Sequence, residues 1–225
     1  MAGLGSRFTE AGYIDPKPMI DINGKPMIQR VIESLNIDAQ YIFVVQHDHL
    51  KKYNLVSFLN SIVNEPIIVE INEVTDGAAR TTLLAKEFIN NDSPLIIANS
   101  DQIISWNSNE FLSLLVSGNP IALFKANDKK WSYAQIDGNK ISRVVEKEVI
   151  SDNASVGIYG WSKGSDYVKY AEQMISKGIK TNNEFYICPV YNEAILDNKA
   201  VIPYFVKEMY GVGTPEDLAS YLLKK

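Results

Sequence analysis

The order of apolar and polar positions in the first half of the chain predicts strands that alternate with helices. Short runs of β-branched and aromatic residues predict buried strands at Tyr41–Val45, Ile67–Ile71 and Leu95–Ala98. Apolar residues at helical spacing predict helices at Met27–Leu35, Leu50–Val63 and Thr82–Ile89. Because such an alternation builds βαβ units, we predict an α/β fold with a mostly parallel, Rossmann-like sheet flanked by helices. Ligands of such sheets bind beyond the carboxyl ends of the strands.

The second half of the chain predicts an antiparallel extension of that sheet. Its strands are predicted at Pro120–Ala126, Ser132–Ile136, Lys140–Val145 and Ser155–Trp161, with a turn at Asp137-Gly138-Asn139-Lys140. The remaining predicted elements are a helix at Gly164–Ser176, a helix near Glu184–Leu196, a strand at Val201–Val206 and a helix from Pro215. The sequence shows neither a linker nor an internal repeat, so we expect a single domain over residues 1–225.

Composition and charge narrow the classes of partner. The chain has 225 residues, of which 46% are hydrophobic and 22% charged, as in ordinary globular proteins. With 22 basic and 27 acidic residues its net charge is −5, which argues against a broad nucleic-acid surface. The sequence has neither an apolar run of membrane-spanning length nor a secretory signal pattern. The single cysteine, Cys188, suits a reducing compartment. We therefore expect a cytoplasmic protein without nucleic-acid or membrane partners.

The opening segment Gly3-Leu4-Gly5-Ser6-Arg7-Phe8 has the features of an anion-binding loop. Glycines allow backbone amides to converge on a phosphate, and Arg7 adds a permanently charged fork. The segment is not a dinucleotide loop, which needs a third glycine where Phe8 stands, and it lacks the Gly-Lys-Ser/Thr of a P-loop. A glycine turn with a surface arginine is the alternative interpretation.

Lys17 and Asp101 are candidates for the chemistry beside this loop. Lys17 stands between Pro16 and Pro18, which stiffen the backbone and fix the direction of its side chain. Asp101 follows the predicted strand Leu95–Ala98, where a carboxylate could hold Mg²⁺. A linker lysine and an Asx-turn that closes the strand are the alternatives.

Two further segments have the features of binding loops. Asp76-Gly77-Ala78-Ala79 opens a helix after a strand, and its small residues would let a flat ring lie against the backbone. Lys147, in the pair Glu146-Lys147, could face a second anion. The alternatives are an ordinary helix N-cap and a solvated charge pair. His47 and His49 suggest a cluster at a helix start rather than a zinc site, because no third ligand is apparent.

Taken together, these motifs resemble those of the nucleotidyltransferase family that activates sugar phosphates and related phosphate esters. The family pattern G-x-G-x-R, followed about ten residues later by P-K-P, appears as Gly3, Gly5, Arg7 and Pro16-Lys17-Pro18. The resemblance continues through Asp76-Gly77-Ala78-Ala79, Asp101, Glu146-Lys147, Ser155–Trp161 and Gly213-Thr214-Pro215-Glu216-Asp217. It therefore covers nearly the whole chain.

The resemblance implies a Mg²⁺-dependent enzyme that joins a nucleoside monophosphate, from a nucleoside triphosphate, to a phosphorylated small molecule and releases pyrophosphate. It assigns residues 1–118 to nucleotide binding and 119–225 to acceptor binding. Catalytic roles fall to Arg7 and Lys17, and metal binding falls to Asp101. Nucleotide contacts are implied for Ala2, Gly3, Leu4, Gly5, Ser6, Asp76, Gly77, Ala78 and Ser100. Acceptor contacts are implied for Lys147, Gly157, Tyr159 and Glu184. A homodimer is left open.

Two departures from the family pattern carry expectations of their own. Family members begin with a short apolar strand that leads into M-A-G, and this chain starts at that methionine, so we expect the first strand to be missing through a late start or a truncation. Many members also place a second metal-binding aspartate where Gly211 stands. Glu184 or water would then complete the coordination of the metal.

The nucleobase and the acceptor stay open between related chemistries. The segments NSDQ, EFYICPVYNEAI and GVGTPEDL resemble a capsule-gene subgroup that includes a phosphoglutamine cytidylyltransferase, which favours CTP and a role in capsule or surface polysaccharide synthesis. A sugar-1-phosphate uridylyl- or thymidylyltransferase is the alternative within the family. A glycosyltransferase would need a D-x-D pair, where this chain has Asn99-Ser100-Asp101. An inactive nucleotide-binding paralogue is the alternative without chemistry.

Overall fold

The computed structural model describes residues 1–3 and 5–224, which divide into two compact units. Unit 1 comprises Met1–Val74, Ser100–Ser105 and Met209–Lys225. Unit 2 comprises Thr75–Asn99 and Trp106–Glu208. Both units are therefore discontinuous in sequence. The predicted functional halves, 1–118 and 119–225, have a different boundary and stay a prediction.

Unit 1 contains six strands and five helices among the described residues. The strands are β1 (Asp21–Ile22), β2 (Lys25–Pro26), β3 (Ile42–Gln46), β4 (Ile67–Ile71), β6 (Gln102–Ser105) and β12 (Glu208–Gly211, whose first residue is assigned to unit 2). The helices are α1 (Ser6–Glu10), α2 (Met27–Leu35), α3 (His47–Lys52), α4 (Leu55–Ile62) and α10 (Pro215–Leu222), and a 3₁₀ turn covers Lys17–Met19.

Unit 2 contains the remaining described elements. Its strands are β5 (Leu95–Ala98), β7 (Asn119–Lys125), β8 (Ser132–Asp137), β9 (Lys140–Glu146), β10 (Asn153–Trp161) and β11 (Val201–Phe205). Its helices are α5 (Ala78–Leu83), α6 (Lys86–Ile89), α7 (Ser108–Leu114), α8 (Gly164–Ser176) and α9 (Val190–Leu196).

In unit 1, helix α2 shows how the apolar pattern builds the core. It buries Met27, Ile28, Val31 and Leu35, which form one stripe at helical spacing. Asn36, in the left-handed conformation with φ 48°, ends the helix and donates its N–H to the carbonyl of Ile32. The parallel pair β3–β4 places Phe43 and Val45 against this helix and α4, in a cluster of Ile28, Phe43, Val45, Leu55 and Leu59.

In unit 2, β10 is the centre of a six-stranded sheet. All nine of its residues are buried, as expected for a strand with neighbours on both edges. The strand order is β11-β7-β10-β8-β9, and β5 also pairs with β10. Strand β11 runs parallel to β7, whereas β10 runs antiparallel to β5, β7 and β8.

The predicted α/β class, with a sheet flanked by helices, is confirmed, and so is the antiparallel character of the second half. The six-stranded sheet is mixed, because β7 pairs parallel with β11 while β8, β9 and β10 pair antiparallel. Strands β3 and β4 form a separate parallel pair. The predicted turn after Asp137 joins β8 to β9, with Gly138 at φ 60°.

Three predicted helices differ from the structure for local reasons. The helix predicted over 50–63 is divided into α3 and α4 because Asn54 adopts φ 47°. The helix predicted over 82–89 begins earlier and is divided at Leu84 and Ala85. The helix predicted from Glu184 begins only at Val190, after Pro189. Within the described ranges, the helices are too short or too polar to span a membrane.

Candidate functional site

The glycine loop of unit 1 is anchored by Phe8 and leaves Arg7 in solvent. Phe8 is 1% exposed, in a cluster with Ile20, Ile22, Met27, Val212 and Leu218. Gly5 has φ 64°, and a Cβ at this position would stand 3.3 Å from the Cβ of Lys17. The loop therefore lies directly against the Lys17 turn. The guanidinium of Arg7 makes no hydrogen bond or ion pair with any described residue, so it is available to an anion.

Gln46 fixes the path of this loop and was missed by sequence reasoning. Its Nε2 donates to the carbonyl oxygens of Ala2 and Gly3, at 2.9 and 3.1 Å. Gln46 is the last residue of β3, so the loop lies at the carboxyl end of that strand, as the predicted fold requires. A lone glutamine after a strand carries no sequence signal that would have marked it. Leu4, a predicted nucleotide contact, lies outside the described residues.

Lys17 and Asp101 form an ion pair in unit 1. Lys17 Nζ lies 2.8 Å from Asp101 Oδ2, with 25% and 19% of the two side chains exposed. The backbone carbonyl of Asp101 accepts the N–H of Val212 at 2.9 Å. A Cβ on Gly213 would stand 2.6 Å from Asp101 Oδ2, so only glycine allows the backbone to lie this close to the carboxylate. Three sequence-distant motifs thus meet at Asp101, which Ser100 directly precedes.

Helix α10 adds a carboxylate in the neighbourhood of Arg7. Thr214 caps this helix by accepting the N–H of Asp217 at 3.2 Å, and Pro215 follows at the first helical position. Hydrogen bonds from its own backbone and from Thr214, together with the positive charge of Arg7, lower the pKa of Glu216. Arg7 therefore lies in the field of an ionised carboxylate, although it has no direct partner among the residues that the structure describes.

Asp101 is the carboxylate of this site that the sequence analysis assigns to a metal ion. No three His, Cys, Asp or Glu side chains cluster anywhere in residues 1–3 and 5–224. This donor set fits Mg²⁺, which keeps several waters and is held by one or two carboxylates together with substrate phosphates. It does not fit a structural zinc site, which needs four protein ligands. His47, earlier considered for zinc, is paired through Nδ1 with Glu70.

In unit 2, the predicted nucleobase loop (residues 76–79) is held against the backbone of Phe185. The Phe185 N–H donates to the Asp76 carbonyl at 2.8 Å, and the Ala79 N–H donates to the Phe185 carbonyl at 2.9 Å. Gly77 has φ 132°, and a Cβ there would stand 2.3 Å from the Phe185 nitrogen. Only glycine fits this contact. The exposed Ala78 follows it at the start of α5.

The carboxylate of Asp76 is paired with two cations. Lys180 Nζ lies 2.7 Å from Oδ2, and Arg80 Nε lies 2.9 Å from Oδ1. The hydrogen bond from Lys180, supported by the charge of Arg80, lowers the pKa of Asp76. Both cations also lie over the Phe185 ring, 4.6 and 5.1 Å from its centroid.

Lys147 is held in an unusual backbone conformation. Its φ is 57°, and its N–H donates to the Trp131 carbonyl at 3.0 Å. Its ammonium group donates to the hydroxyl of Tyr186 and lies 4.6 Å from the centroid of that ring. A non-glycine residue with positive φ is uncommon and is retained where surrounding contacts determine it, often at functional positions.

A buried polar cluster lies behind Lys147. Glu146 is 8% exposed and accepts a hydrogen bond from Ser132, and burial raises its pKa despite the charge of Lys147. Burial, followed by the charges of Cys188 and Glu146, raises the pKa of Tyr159 well above its ordinary value. Tyr159 is therefore a neutral hydroxyl at neutral pH.

The two other predicted acceptor residues lie in turns or irregular backbone. Gly157, with φ 83°, sits where β10 shifts register against β7, and its carbonyl accepts the Asn99 N–H at 2.9 Å. Glu184 is exposed and closes a tight turn with Thr181, in which Asn182 and Asn183 both have positive φ. The proposed contacts of these residues with an acceptor stay predictions.

Comparison with known proteins identifies the family of the chain. The sequence pattern of the family described as "Nucleotidyl transferase" matches residues 1–222. The chain belongs to this nucleotidyltransferase family. It is 29% identical, over 164 residues, to the bifunctional protein GlmU of Methanococcus maripaludis strain C5. That match covers 70% of this chain and 38% of the relative, so the matched part is well under half the length of that protein.

Solved nucleotidyltransferase structures share the fold. The nucleoside-diphosphate-sugar pyrophosphorylase of Vibrio cholerae RC9 superposes with a TM-score of 0.86 at 22% identity, over 100% of this chain and 98% of its own. The inositol-1-phosphate CTP transferase of T. maritima superposes with a TM-score of 0.73 at 16% identity, over 100% of this chain and 92% of its own. At these identities the likeness shows the fold alone.

Proposed function

We propose that the chain transfers a nucleoside monophosphate, preferably CMP, from a nucleoside triphosphate to a phosphorylated small molecule and releases pyrophosphate. The observation that carries the proposal is the meeting of Lys17, Asp101 and Gly213 beside the glycine loop of unit 1. These residues come from three separate family motifs, and the family itself is shown. The exposed Arg7 supplies the additional positive charge that a triphosphate requires.

The reaction brings two anions together, and the proposed roles follow from that difficulty. Two unit charges about 4 Å apart repel by roughly 4 kcal/mol at an effective dielectric constant of about 20. Arg7 and the loop amides hold the distal phosphates of the nucleotide, while Lys17 faces the phosphate that reacts. The acceptor phosphate is already ionised, so alignment and charge neutralisation carry the catalysis and no general base is needed.

Asp101 would hold Mg²⁺, which supplies charge neutralisation at the phosphates when it is bound. Lys17 pairs with the same carboxylate oxygen in the structure. Lys17 therefore has to leave Asp101, at least in part, when the site is loaded, and its flexible side chain is suited to such a move.

Unit 2 carries the residues proposed for the nucleobase and the acceptor. The backbone of Gly77 and Ala78 would lie against the base, with the carbonyl of Gly77 held by the hydroxyls of Thr75 and Thr81 at 3.0 and 3.2 Å. Lys147 would hold the acceptor phosphate, with Gly157, Tyr159 and Glu184 around the rest of the acceptor.

Cytidine is favoured by the capsule-type segments of the sequence, and a role in capsule or surface polysaccharide synthesis in the cytoplasm goes with it. The fold is compatible with this choice, because the inositol-1-phosphate CTP transferase shares it. A sugar-1-phosphate acceptor with UTP or dTTP is the second candidate. It is favoured by the fold shared with the nucleoside-diphosphate-sugar pyrophosphorylase.

Thermal unfolding with Mg²⁺ and each of CTP, UTP, dTTP, ATP and GTP tests the proposal without knowledge of the acceptor. A nucleotide at about 100 times its Kd adds about 2.7 kcal/mol to the free energy of unfolding. We expect CTP to raise the transition most. A screen of phosphorylated amino acids, amino alcohols and sugars for pyrophosphate release then identifies the acceptor. Absence of any nucleotide response would favour an inactive paralogue, and nucleotide-sugar turnover without pyrophosphate would favour a glycosyltransferase.

A further inference from the structure

Phe185 contacts the nucleobase loop through its backbone. Two hydrogen bonds of 2.8 and 2.9 Å join its N–H and carbonyl to Asp76 and Ala79. Its own side chain is 2% exposed, so the segment that carries it is anchored in unit 2. The Gly77 backbone lies so close to Phe185 that a Cβ on Gly77 would overlap it. The loop and this segment cannot shift independently without breaking the two hydrogen bonds between them.

Of the two neighbours of Phe185, Glu184 is a proposed acceptor residue and Tyr186 contacts another, Lys147. Glu184 precedes it and closes the turn from Thr181 with two backbone hydrogen bonds of 3.0 Å. Tyr186 follows it and holds the ammonium group of Lys147. Residues 184–186, named here the coupling segment, therefore contact both the nucleobase loop and the group proposed for the acceptor phosphate.

An ion pair also joins the nucleobase loop to the chain just before the coupling segment. Lys180 lies just before the turn that leads into the coupling segment, and its Nζ lies 2.7 Å from Oδ2 of Asp76 in the nucleobase loop. The same ammonium lies over the Phe185 ring at 4.6 Å. Arg80 occupies the other oxygen of Asp76, so both oxygens of this carboxylate are used within the protein.

We infer that the coupling segment makes the nucleobase loop and the acceptor residues a single opening unit, with Asp76 and Lys180 as its positioning residues. Asp76 would then act on the nucleotide by fixing the loop and not by touching the base. The inference rests on the proposed function for the identity of the two ligands. The mechanical connection rests only on the contacts of unit 2.

Lys180→Met is the variant that removes the ion pair and the cation–π contact together, because it keeps a side chain of similar length over Phe185 and removes the charge. Lys169→Met is its matched control. Lys169 pairs with Asp197 at 2.6 Å and lies over the Tyr170 ring at 4.7 Å, so it loses the same two kinds of contact elsewhere in unit 2. Lys180→Arg keeps the charge and serves as the conservative variant.

Hydrogen exchange of the protein without ligands is the first measurement. In Lys180→Met we expect the amides of 75–80 and of 181–186 to exchange about fivefold faster, the effect of losing one exposed ion pair and one cation–π contact. Lys169→Met should leave both segments unchanged, and Lys180→Arg should restore them. Unchanged exchange in Lys180→Met, or faster exchange in only one of the two segments, would overturn the inference.

Nucleotide binding supplies the second measurement and separates the inference from the proposed function. Mg²⁺ with CTP, or with whichever triphosphate stabilises the wild-type protein, should slow exchange in 75–80 and in 181–186 together. Protection restricted to 75–80 would overturn the coupling. If no triphosphate protects either segment, the proposed function fails, and the ligand-free comparison of Lys180→Met with Lys169→Met still decides whether the two segments open as one unit.

Discussion

At the scale of single residues, the pair Lys17–Asp101 has two consequences. It neutralises a partly buried carboxylate, and in the proposed reaction it holds the lysine beside the phosphate site. A surface ion pair contributes little to stability, but both of these side chains are at least three-quarters buried. Removing one partner leaves the other charge without compensation, so each residue is expected to affect both the ligand site and its neighbourhood.

Asp101→Asn and Arg7→Ala test the proposed catalytic roles. Each is expected to lower pyrophosphate release at least about a hundredfold, because groups that stabilise transition-state charge typically contribute that much. Far-UV circular dichroism should remain that of the wild-type protein. Asp48→Asn, which changes an exposed aspartate of α3 in the same unit, is the control and should keep full turnover. Near-normal pyrophosphate release from both test variants would refute these assignments.

Glu146→Gln tests the buried acid behind Lys147 through pH. Burial raises the pKa of Glu146, so the folded state favours its protonated form. The free energy of unfolding therefore falls as the pH rises from the ordinary pKa of a glutamic acid through the raised pKa of Glu146, because the folded state resists the loss of this proton. Glutamine still accepts the hydrogen bond from Ser132 and carries no charge. The variant should therefore unfold at higher urea concentration than the wild type at pH 7, with the difference vanishing below pH 4. An equal difference at both pH values would contradict this.

At the scale of elements, the nucleobase loop depends on one glycine. Gly77 combines a φ of 132° with an approach to the Phe185 backbone that excludes any Cβ. Gly138, in the turn between β8 and β9, also has a positive φ of 60°, but no atom lies within 4 Å of its would-be Cβ. A comparison of Gly77 with Gly138 therefore separates backbone strain from steric exclusion.

Gly77→Ala is expected to destabilise the protein clearly more than Gly138→Ala. The latter should cost about 1–2 kcal/mol, the strain of a left-handed conformation. The former adds a clash with backbone atoms, and forced overpacking typically costs about 1–3 kcal/mol more. Urea unfolding of both variants measures the difference. Equal midpoints would show that the loop can leave Phe185 without loss.

The elements that sequence patterns predicted well are those whose signal is local. Helices α2 and α8 have the predicted bounds because their apolar stripes lie within a single segment. The small sheet of β6 and β12 was not predicted, since it pairs strands more than a hundred residues apart in the sequence. The site follows the same division. Motifs identified Lys17 and Asp101, but the pairing of Asp76 with Lys180 depends on the fold.

At the scale of the whole molecule, the chain passes between the two units four times. Unit 1 draws on three separate segments, including the last 17 residues, Met209–Lys225. When either unit unfolds, the chain ends that lead into the other unit are therefore no longer held in place. This covalent interleaving favours unfolding in one step, although each unit has its own core.

Tryptophan fluorescence and circular dichroism together test that expectation. Trp106, Trp131 and Trp161 all lie in unit 2, so fluorescence reports on this unit, while circular dichroism reports on the helices of both. We expect the two urea transitions to coincide, which is the usual test of two-state unfolding. A circular dichroism transition at lower urea than the fluorescence transition would show that unit 1 unfolds first.

The ammonium group of Lys17 also bears on the stability of the ligand-free protein in the presence of a chelator. Since Asp101 already has an internal counter-charge 2.8 Å away, its folded state does not need a divalent cation to offset it. EDTA should leave the thermal transition of the ligand-free protein unchanged and abolish only the stabilisation by nucleotide. A transition lowered by EDTA alone would contradict this. The protein should accordingly survive purification and storage in chelated, magnesium-free buffer and regain its activity on dilution into magnesium.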